Sequence, residues 1–300
     1  MTNFSPLRYP GGKGKLAPYL REVLGMNKLE GGHYAEPFAG GAAVALDLLF
    51  SERVKHIHIN DIDVNVFSFW KSVVDESDAF IDLIMDTPID IDRWLQLREV
   101  KRAPELYTPL EVGFAAFYLN RTNRSGILNG GVIGGLEQKG AYKIDCRFNR
   151  QELADRVRRI KLYRSRISVT QHDAAYFLSD HLKTIPHKCL IYIDPPYYVK
   201  GAFLYQNHYV HEDHALLATT ISRIEDQHWI VSYDNAEQIR RLYSRFEQEQ
   251  FGINYSARYY AKGTEVMIFD PTLRRPGRVF STQAEHLATI SEGAASTQLA

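Results

Sequence analysis

The sequence predicts an α/β fold in which helices flank a parallel sheet and a second, mainly helical unit is inserted into it. Strands and helices alternate at the start of the chain, and such alternation produces parallel sheets. The alternation stops at Asp75 and returns at Ile167, which marks the insertion. The apolar run Cys189–Ile193 is typical of a strand that is buried on both faces, as parallel strands are.

The amino-terminal half of the sheet is predicted from two successive strand–helix pairs. Alternating apolar residues indicate strands, and apolar residues three and four positions apart indicate helices. Helix caps, glycines and prolines mark where these elements end. The predicted elements are the glycine-rich loop Ser5–Lys15, the helix Leu16–Leu24, the strand His33–Phe38, the helix Ala42–Phe50, the strand Val54–Ile59 and a helix from Asp63 to Val74.

The middle of the chain has helical periodicity and no alternation of strands with helices. A stretch rich in glycine, asparagine and arginine, Asn120–Gly140, interrupts it. The predicted helices lie around Phe80–Met85, Trp94–Val100, Glu111–Leu119 and Gln151–Arg166. The predicted strands that follow are Ile167–Thr170, Cys189–Ile193, Trp229–Ser232, Glu247–Tyr255 and Glu265–Phe269.

These boundaries divide the chain into three parts. Residues 1–74 and 167–270 together form the sheet domain, and residues 75–166 form the helical insertion. Residues 271–300 are polar and rich in small side chains, so we expect a disordered tail.

The composition limits the classes of protein to consider. With 45% hydrophobic residues in 300, the chain has material for a continuous core. The formal net charge is +0, so any surface that binds nucleic acid must be local. Two cysteines, Cys146 and Cys189, cannot form a disulfide framework, and no signal peptide or membrane span is evident. We expect a cytoplasmic protein.

The most informative motif is Asp194-Pro195-Pro196-Tyr197, which directly follows the strand Cys189–Ile193. The prolines end the strand, so the motif lies at the carboxyl edge of the sheet, where open α/β folds bind ligands. A carboxylate, a carbonyl and an aromatic ring suit a planar base that bears an exocyclic amino group. The alternative is a proline-rich turn with a solvated aspartate.

A second group of residues has the pattern of a nucleoside-binding site. The segment Glu36-Pro37-Phe38-Ala39-Gly40-Gly41 joins the first strand to its helix, where glycines let a cofactor approach the backbone. Asp61, after the next strand, could accept both hydroxyls of a ribose or could cap the following helix. Asp173 could accept from an adenine amino group or could cap a helix.

The loop Arg8-Tyr9-Pro10-Gly11-Gly12-Lys13 combines glycines with a lysine, which is typical of an anion-binding loop or a plain turn. It is not a Walker A motif. That motif needs a glycine four residues before its Gly-Lys pair and a serine or threonine after it, and neither Gly-Lys pair here meets that requirement.

Basic and amide side chains concentrate around the loop Thr122–Gly140. They are Arg121, Arg124, Arg147, Arg150, Asn120, Asn123 and Asn129, with Arg156, Arg158, Arg159, Lys161, Arg164 and Arg166 on the following helix. Such residues suit phosphate contacts and the reading of base edges. The alternative is an ordinary solvated helix face. No metal is expected, because His208, His211 and His214 lack an identifiable fourth ligand.

Taken together, the motifs resemble those of the Dam-type, class D12 DNA adenine-N6 methyltransferases. The resemblance runs from about Ser5 to Asp270. The motifs occur in the family's order: Tyr9-Pro10-Gly11-Gly12-Lys13, Glu36-Pro37-Phe38-Ala39-Gly40, Asn60-Asp61, Phe117-Tyr118-Leu119-Asn120-Arg121, Asp194-Pro195-Pro196-Tyr197 and Ser232-Tyr233-Asp234-Asn235.

The resemblance implies a doubly wound methyltransferase sheet that ends in the β-hairpin Glu247–Phe269, with S-adenosylmethionine as cofactor and double-stranded DNA as substrate. A flipped adenine would be held by Asp194, Pro195, Pro196 and Tyr197, with its ring stacked on Tyr197. The implied cofactor-binding residues are Tyr9, Lys13, Glu36, Phe38, Gly40, Asp61, Asp173 and Asp194. The implied DNA-binding residues, in the helical recognition domain, are Asn120, Arg121, Arg124, Ser125, Asn129 and Arg147.

The chain departs from the family in its recognition loop. Members that read GATC carry an aromatic–asparagine pair before the loop glycine and an arginine three residues after it. Here Arg124-Ser125 precede Gly126 and Asn129 follows it, so GATC specificity is not carried over. The alternatives are an RNA adenine methyltransferase of similar fold and a catalytically silent DNA-binding relative. The oligomeric state and the presence of a partner restriction enzyme stay open.

Overall fold

The computed structural model describes residues 4–8, 13–199, 209–254, 262–277 and 279. The helices over these residues are α1 Ala17–Met26, α2 Ala43–Phe50, α3 Val64–Asp75, α4 Ser77–Asp86, α5 Ile91–Arg102, α6 Pro109–Thr122, α7 Arg150–Leu162, α8 Ala174–Ser179, α9 His211–Ile221 and α10 Glu237–Leu242. The strands are β1 Gly32–Glu36, β2 Val54–Asn60, β3 Ile167–Thr170, β4 Cys189–Ile193, β5 His228–Asp234, β6 Glu247–Asn254 and β7 Lys262–Phe269.

The seven strands form one sheet in the order β3-β2-β1-β4-β5-β7-β6. Strands β1 to β5 pair in parallel, and β7 joins β5 and β6 in antiparallel register. The chain winds outward from β1 through β2 to β3, and then returns to place β4 on the other side of β1. The carboxyl ends of β1 and β4 therefore meet at a topological switch point, where open α/β sheets bind ligands.

This sheet confirms the predicted fold class and its carboxyl-terminal hairpin. The predicted bounds of β3 and β4 match the structure residue for residue. The first strand was predicted to continue to Phe38, but it ends at Glu36 because Pro37 cannot donate to a ladder. The helix predicted over Gln151–Arg166 ends at Leu162, and a turn of 3₁₀ helix follows over Arg164–Arg166.

The helical segment after α3 packs against the sheet domain through aromatic side chains. The Phe69 ring of α3 lies 5.7 Å from that of Phe80 and 6.0 Å from that of Phe117, between ring centroids. These rings belong to one hydrophobic core that also contains Ile57 of β2. The insertion thus shares a continuous core with one face of the sheet, which holds the two parts in a fixed relation.

Helices α3 and α6 pack so closely that a glycine is required between them. A Cβ at Gly113 would lie 2.4 Å from the backbone oxygen of Ser68. Gly113 lies in the first half of α6, so the contact fixes that half of the helix against α3.

The first residues after β7 lie against the hairpin. Leu273 and Val279 are buried in the core, and Arg275 pairs with Glu247 and with Glu249 of β6, at 2.7 Å for the latter. Residues 280–300, which form most of the tail that we expect to be disordered, lie outside the described residues. Within the described part of the chain, no helix is both long and apolar enough to cross a bilayer.

Candidate active site at the switch point of the sheet

Asp194 lies at the first position after β4, and two donors hold one of its oxygens. The Lys13 ammonium lies 3.2 Å from Asp194 Oδ1. The Ser232 hydroxyl, from β5, donates to the same Oδ1 at 2.6 Å. Among the described residues, no donor reaches Oδ2, so that oxygen is the one able to accept from a substrate.

Lys13 has a second acidic partner on the hairpin. Its Nζ lies 3.2 Å from both carboxylate oxygens of Glu265 on β7. The Tyr197 hydroxyl accepts from Lys13 at 3.1 Å and donates to Glu265 Oε1 at 2.7 Å. The loop before α1, the motif after β4 and strand β7 are therefore joined by one buried ammonium.

Burial and neighbouring charges together shift the pKa values of Asp194 and Lys13. Loss of solvent, together with the Glu265 charge, raises the pKa of Asp194, and the Lys13 ammonium and the Ser232 bond oppose that rise. Burial alone would lower the pKa of Lys13, but its two carboxylate neighbours outweigh this effect and raise it. The ammonium is therefore charged at neutral pH, and it balances one of two adjacent carboxylates.

The backbone after the motif is held from β5. The backbone N–H of Tyr198 donates to Asp234 Oδ1 at 2.8 Å, and that of Val199 donates to Asp234 Oδ2 at 2.9 Å. Asp234 belongs to the segment Ser232-Tyr233-Asp234-Asn235, so this segment holds both the Asp194 carboxylate and the chain that leaves it.

Tyr197 is placed differently from the sequence expectation. Its side chain is buried, with 4% of its surface exposed, and its hydroxyl takes part in the Lys13–Glu265 network. A base could stack on the ring only after the ring is uncovered. As placed, Tyr197 supports the position of Lys13.

The turn after β1 contains a buried acid. Glu36 accepts from the Tyr34 hydroxyl at 3.0 Å and from the Ala45 backbone N–H at 3.2 Å. Burial raises the pKa of Glu36 to about 8, and the nearby Asp194 charge acts in the same direction. The carboxyl ends of β1 and β4 thus influence each other electrostatically at the switch point.

Asp61 connects the ends of β1 and β2. Its Oδ2 accepts from the Gly40 backbone N–H at 2.9 Å, and its Oδ1 accepts from that of Asp63 at 3.0 Å. Burial raises the pKa of Asp61 to about 7, and the Asp63 charge adds to the rise. Asp63, and not Asp61, caps α3, because Asp63 accepts from the Asn65 backbone N–H.

The other predicted cofactor residues differ in where they lie relative to the site. Phe38 lies at the same turn, with its ring 5.8 Å from that of Tyr209. Asp173 is exposed and caps α8 through its Oδ1, which accepts from Ala175 and Tyr176, so the helix-cap alternative describes it. Tyr9 lies outside the described residues.

Two of the predicted DNA-binding side chains are buried in the fold, which corrects the expectation that they face DNA. Asn120 accepts from the Arg8 backbone N–H at 2.7 Å, and donates to the Arg8 carbonyl at 2.9 Å and the Gly126 carbonyl at 2.8 Å. Arg121 Nε donates to the Pro6 carbonyl at 2.7 Å, and burial lowers the pKa of Arg121 to about 9. Both residues hold the segment before the Lys13 loop.

The remaining predicted DNA-binding residues are exposed. Arg124, Ser125 and Asn129 lie in the loop after α6, and Arg147 lies before α7. Ser125 adopts a left-handed backbone conformation, with φ +58°, and Asn129 is bonded to Lys101 of α5. These four side chains are in positions where a partner can reach them.

The basic helix α7 is largely occupied by contacts within the protein, so it does not provide the continuous free basic face that the sequence suggested. Arg158 pairs with Asp155 at 2.7 Å, and Lys161 pairs with Asp78 at the same distance. Arg156 donates to the Ser5 carbonyl at 2.6 Å. Arg159 lies over the rings of Phe4 and Phe50.

The sequence did not identify Glu265 as a site residue. Ser232 belongs to a predicted motif, but no role was predicted for its side chain. Glu265 has a signal in the sequence, because it is a single acid at the start of the apolar run Val266–Phe269. Acids in such runs are buried only when they are paired. Its partner Lys13 lies 252 positions away, so the sequence could not identify it.

The sequence matches the family described as D12 class N6 adenine-specific DNA methyltransferase over residues 9–257. It is 32% identical over 103 residues to the Type II methyltransferase M.MjaIII of Methanocaldococcus jannaschii. That alignment spans about a third of each protein, 34% of this chain and 35% of the relative.

Two solved structures align over most of the chain at low similarity. An uncharacterized protein from Listeria monocytogenes serotype 4b covers 91% of this chain and 71% of its own, with 9% identity and a TM-score of 0.37. The rRNA methyltransferase aviRa from Streptomyces viridochromogenes covers 87% of this chain and 86% of its own, with 13% identity and a TM-score of 0.39.

The family match therefore spans the Lys13 loop, the turn after β1, the loop after α6 and the Asp194 motif. The structure brings Lys13 into contact with Asp194 at the switch point of the sheet. The chain belongs to the D12 class of N6 adenine-specific DNA methyltransferases.

Proposed function

We propose that this protein transfers a methyl group from S-adenosylmethionine to N6 of an adenine that is flipped out of duplex DNA, at a specific sequence. The observation that carries the proposal is the Asp194 carboxylate, held through Oδ1 by Lys13 and Ser232 at the carboxyl edge of the sheet. The family match supports the same reaction.

The chemistry requires an acceptor for the adenine amino group. The N6 lone pair is delocalised into the purine ring, so the amine is a poor nucleophile. Hydrogen bonds from N6 to Asp194 Oδ2 and to the Pro195 carbonyl would localise the lone pair. They would also stabilise the positive charge that develops on nitrogen as the methyl group arrives. This step needs no metal.

The residues at the β1 and β2 ends fit a nucleoside cofactor. Gly40 has φ +45°, which lets the backbone turn tightly under a ligand, and each Asp61 oxygen retains a lone pair beyond its backbone bond. Bound here, S-adenosylmethionine would supply an electrophilic methyl group. Asp61 would hold the ribose, while Glu36 and Phe38 would shape the turn and Lys13 would orient Asp194.

The loop after α6 is the proposed DNA-reading element. Arg124, Ser125 and Asn129 are exposed there, and Arg147 is exposed nearby. An arginine suits a phosphate or a guanine edge, and an asparagine amide suits an adenine edge. Because the loop lacks the residues of GATC readers, we propose a different recognition sequence. We also propose a cytoplasmic location.

The experiment that tests this function compares wild type with Asp194→Asn, using tritiated S-adenosylmethionine and duplex DNA. We expect the variant to fold and to lose methyl transfer by about 100- to 1000-fold, because its amide can no longer stabilise the developing positive charge. Asp78→Asn, on the surface of α4, is the matched control and should keep full activity.

A second measurement identifies the substrate. Modification-sensitive sequencing of DNA from cells that express the chain should show methylated adenine in one short motif. Methylation of RNA and not of duplex oligonucleotides would favour an RNA enzyme. Absence of transfer to either, with no binding of S-adenosylmethionine by calorimetry, would favour a silent DNA-binding relative and would overturn the proposal.

A further inference from the structure

We propose that Glu265 and Ser232 are positioning residues for methyl transfer, which together hold Oδ1 of Asp194 so that Oδ2 faces the adenine amino group. The proposed reaction gives Glu265 no role, and of Ser232 it uses only the bond to Asp194 Oδ1. The inference rests on the proposed function, since it concerns the carboxylate that would accept from N6.

Glu265 acts through Lys13. Its side chain is completely buried on β7, opposite Asp234 of β5. A buried carboxylate is tolerated only when it is paired and hydrogen-bonded, and Glu265 meets both conditions through Lys13 and the Tyr197 hydroxyl.

The Lys13 ammonium is fully committed to this arrangement. It has three protons and three neighbouring acceptor groups, at 3.2 Å (Asp194), 3.2 Å (Glu265) and 3.1 Å (the Tyr197 hydroxyl). An ammonium on a flexible chain is fixed in space only when several acceptors surround it. Glu265 therefore determines where the positive charge lies relative to Asp194.

Ser232 acts directly and has a fixed proton direction. A serine hydroxyl has one proton, and Ser232 donates it to Asp194 Oδ1 at 2.6 Å. The Tyr192 hydroxyl, 2.7 Å from Ser232 Oγ, must then be the donor in that bond. Burial raises the pKa of Tyr192 well above its ordinary value, so this phenol remains a neutral donor.

The two positioning residues affect the charge of Asp194 in opposite directions. The negative charge of Glu265 raises the pKa of Asp194, after the larger effect of burial, whereas the Ser232 bond lowers it. Removing Glu265 should therefore favour the ionised carboxylate, and removing the Ser232 hydroxyl should disfavour it. A side chain that only fills space would produce neither shift.

The experiment is a carbon-13 NMR titration of the Asp194 carboxyl group in the full chain. The resonance is assigned by its loss in Asp194→Asn. In Glu265→Gln the titration midpoint should move to lower pH, and in Ser232→Ala to higher pH, each by roughly one pH unit. Tyr192→Phe should move it in the same direction as Ser232→Ala, by less.

Glu247→Gln and Ser222→Ala are the matched controls. Glu247 pairs with Arg275 on the outer strand of the hairpin, and the Ser222 hydroxyl donates to the Thr219 carbonyl. Neither control should move the midpoint. Shifts of the same sign in Glu265→Gln and Ser232→Ala, or shifts no larger than in the controls, would overturn the proposal. If Glu265→Gln does not fold, the upward shifts of the midpoint in Ser232→Ala and Tyr192→Phe decide the Ser232 part of the proposal. The Glu265 part is then tested with Glu265→Asp, and a midpoint equal to that of wild type rejects it.

The titration needs no methyl transfer, so its failure is distinct from failure of the proposed function. With active protein, single-turnover rates provide a second readout. The acid limb of the pH–rate profile should move with the titration midpoint of Asp194, because the ionised carboxylate is the form that accepts the hydrogen bond from N6. A rate loss without that movement would indicate a merely structural role and would reject the assignment.

Discussion

The edge of the sheet at Asp194 and the end of helix α6 both bury charged or amide side chains, but they stabilise them differently. At the edge, the Lys13 ammonium lies between the carboxylates of Asp194 and Glu265. At the end of α6, Asn120 and Arg121 are bonded to backbone groups of residues 6, 8 and 126.

The difference separates two kinds of function. Where charges balance one another, the ionisation of Asp194 depends on its charged neighbours, and such a carboxylate is suited to catalysis. Side chains that bond backbone groups have no such freedom, and they fix residues 6 and 8 relative to the loop after α6. Substitutions at the edge should therefore change reactivity and pH dependence, and substitutions at the end of α6 should change stability.

The largest effect on stability is expected from Asn120→Ala. The change removes three hydrogen bonds and leaves the Arg8 N–H and two carbonyls without their partner. We expect the free energy of unfolding to fall by about 4 kcal/mol. Denaturant unfolding measures it, with Asp226→Ala, at an exposed position before β5, as the control that should change little. Equal losses in the two variants would contradict the structural role given to Asn120.

The next largest effect is expected from Glu36→Gln, and it depends on pH. Burial raises the pKa of Glu36 from 4.5 to about 8, so its stabilising contribution is complete below about 4.5 and is lost as pH rises through about 8. Glutamine keeps an oxygen for Tyr34 and Ala45 but does not ionise. At pH 7 we expect the variant to be more stable than wild type by about 3 kcal/mol.

Thermal unfolding between pH 4 and 9 tests this expectation, since the gap between variant and wild type should open as pH rises. Glu247→Gln, at an exposed carboxylate, is the control and should show no such gap. If the unfolding temperatures of wild type and Glu36→Gln change in parallel with pH, Glu36 is not buried in the protonated form.

A smaller effect is expected from Gly126→Ala. Gly126 has φ +75°, and a Cβ there would lie 2.2 Å from the Arg8 carbonyl oxygen. The backbones at Gly126 and Arg8 must then move apart. This should lower the free energy of unfolding by about 2 kcal/mol and separate the loop after α6 from Arg8. Gly131→Ala, where a Cβ meets nothing within 4 Å, is the control. Equal unfolding free energies for both variants would show that the two segments are not in contact.

The smallest effect is expected at the exposed loop itself. Arg124→Ala should leave stability unchanged and weaken binding to DNA. If the side chain contacts a phosphate, the slope of log K against log salt should fall by about 1 and all sequences should be affected equally. If it reads a base, discrimination at one position should relax. Arg102→Ala on α5 is the control, because Arg102 pairs with Glu99. A variant with an unchanged salt slope and unchanged specificity would remove Arg124 from the interface.

Much of the fold followed from local patterns in the chain. The strand Cys189–Ile193 is a continuous apolar run that ends at an aspartate and two prolines, so both its burial and its end are visible in the sequence. No bounds were predicted for the six-residue helices α8 and α10, because so short a segment shows less than two turns of periodicity. Packing decides whether such segments form a helix.

The candidate site was only partly visible in the sequence. Asp194, Lys13 and Asp61 were found because each lies in a motif beside a turn. Asn120 and Arg121 were assigned to a DNA-binding surface because arginines and asparagines cluster around this loop and suit contacts with phosphates and base edges. The structure buries them, since the backbone groups of residues 6 and 8 need partners where the segment crosses α6.

Local patterning thus accounts for which strands form and for the acids that stand at their ends, because apolar periodicity and chain-breaking residues act over a few positions. Only the tertiary structure determined which of those acids share a cation. Lys13, Asp194 and Glu265 are far apart in the chain, and the antiparallel pairing of β7 with β5 brings the last of them to the first. Loss of solvent and the neighbouring charges then shift the pKa values of Lys13 and Asp194, and both effects depend on everything packed around these two groups.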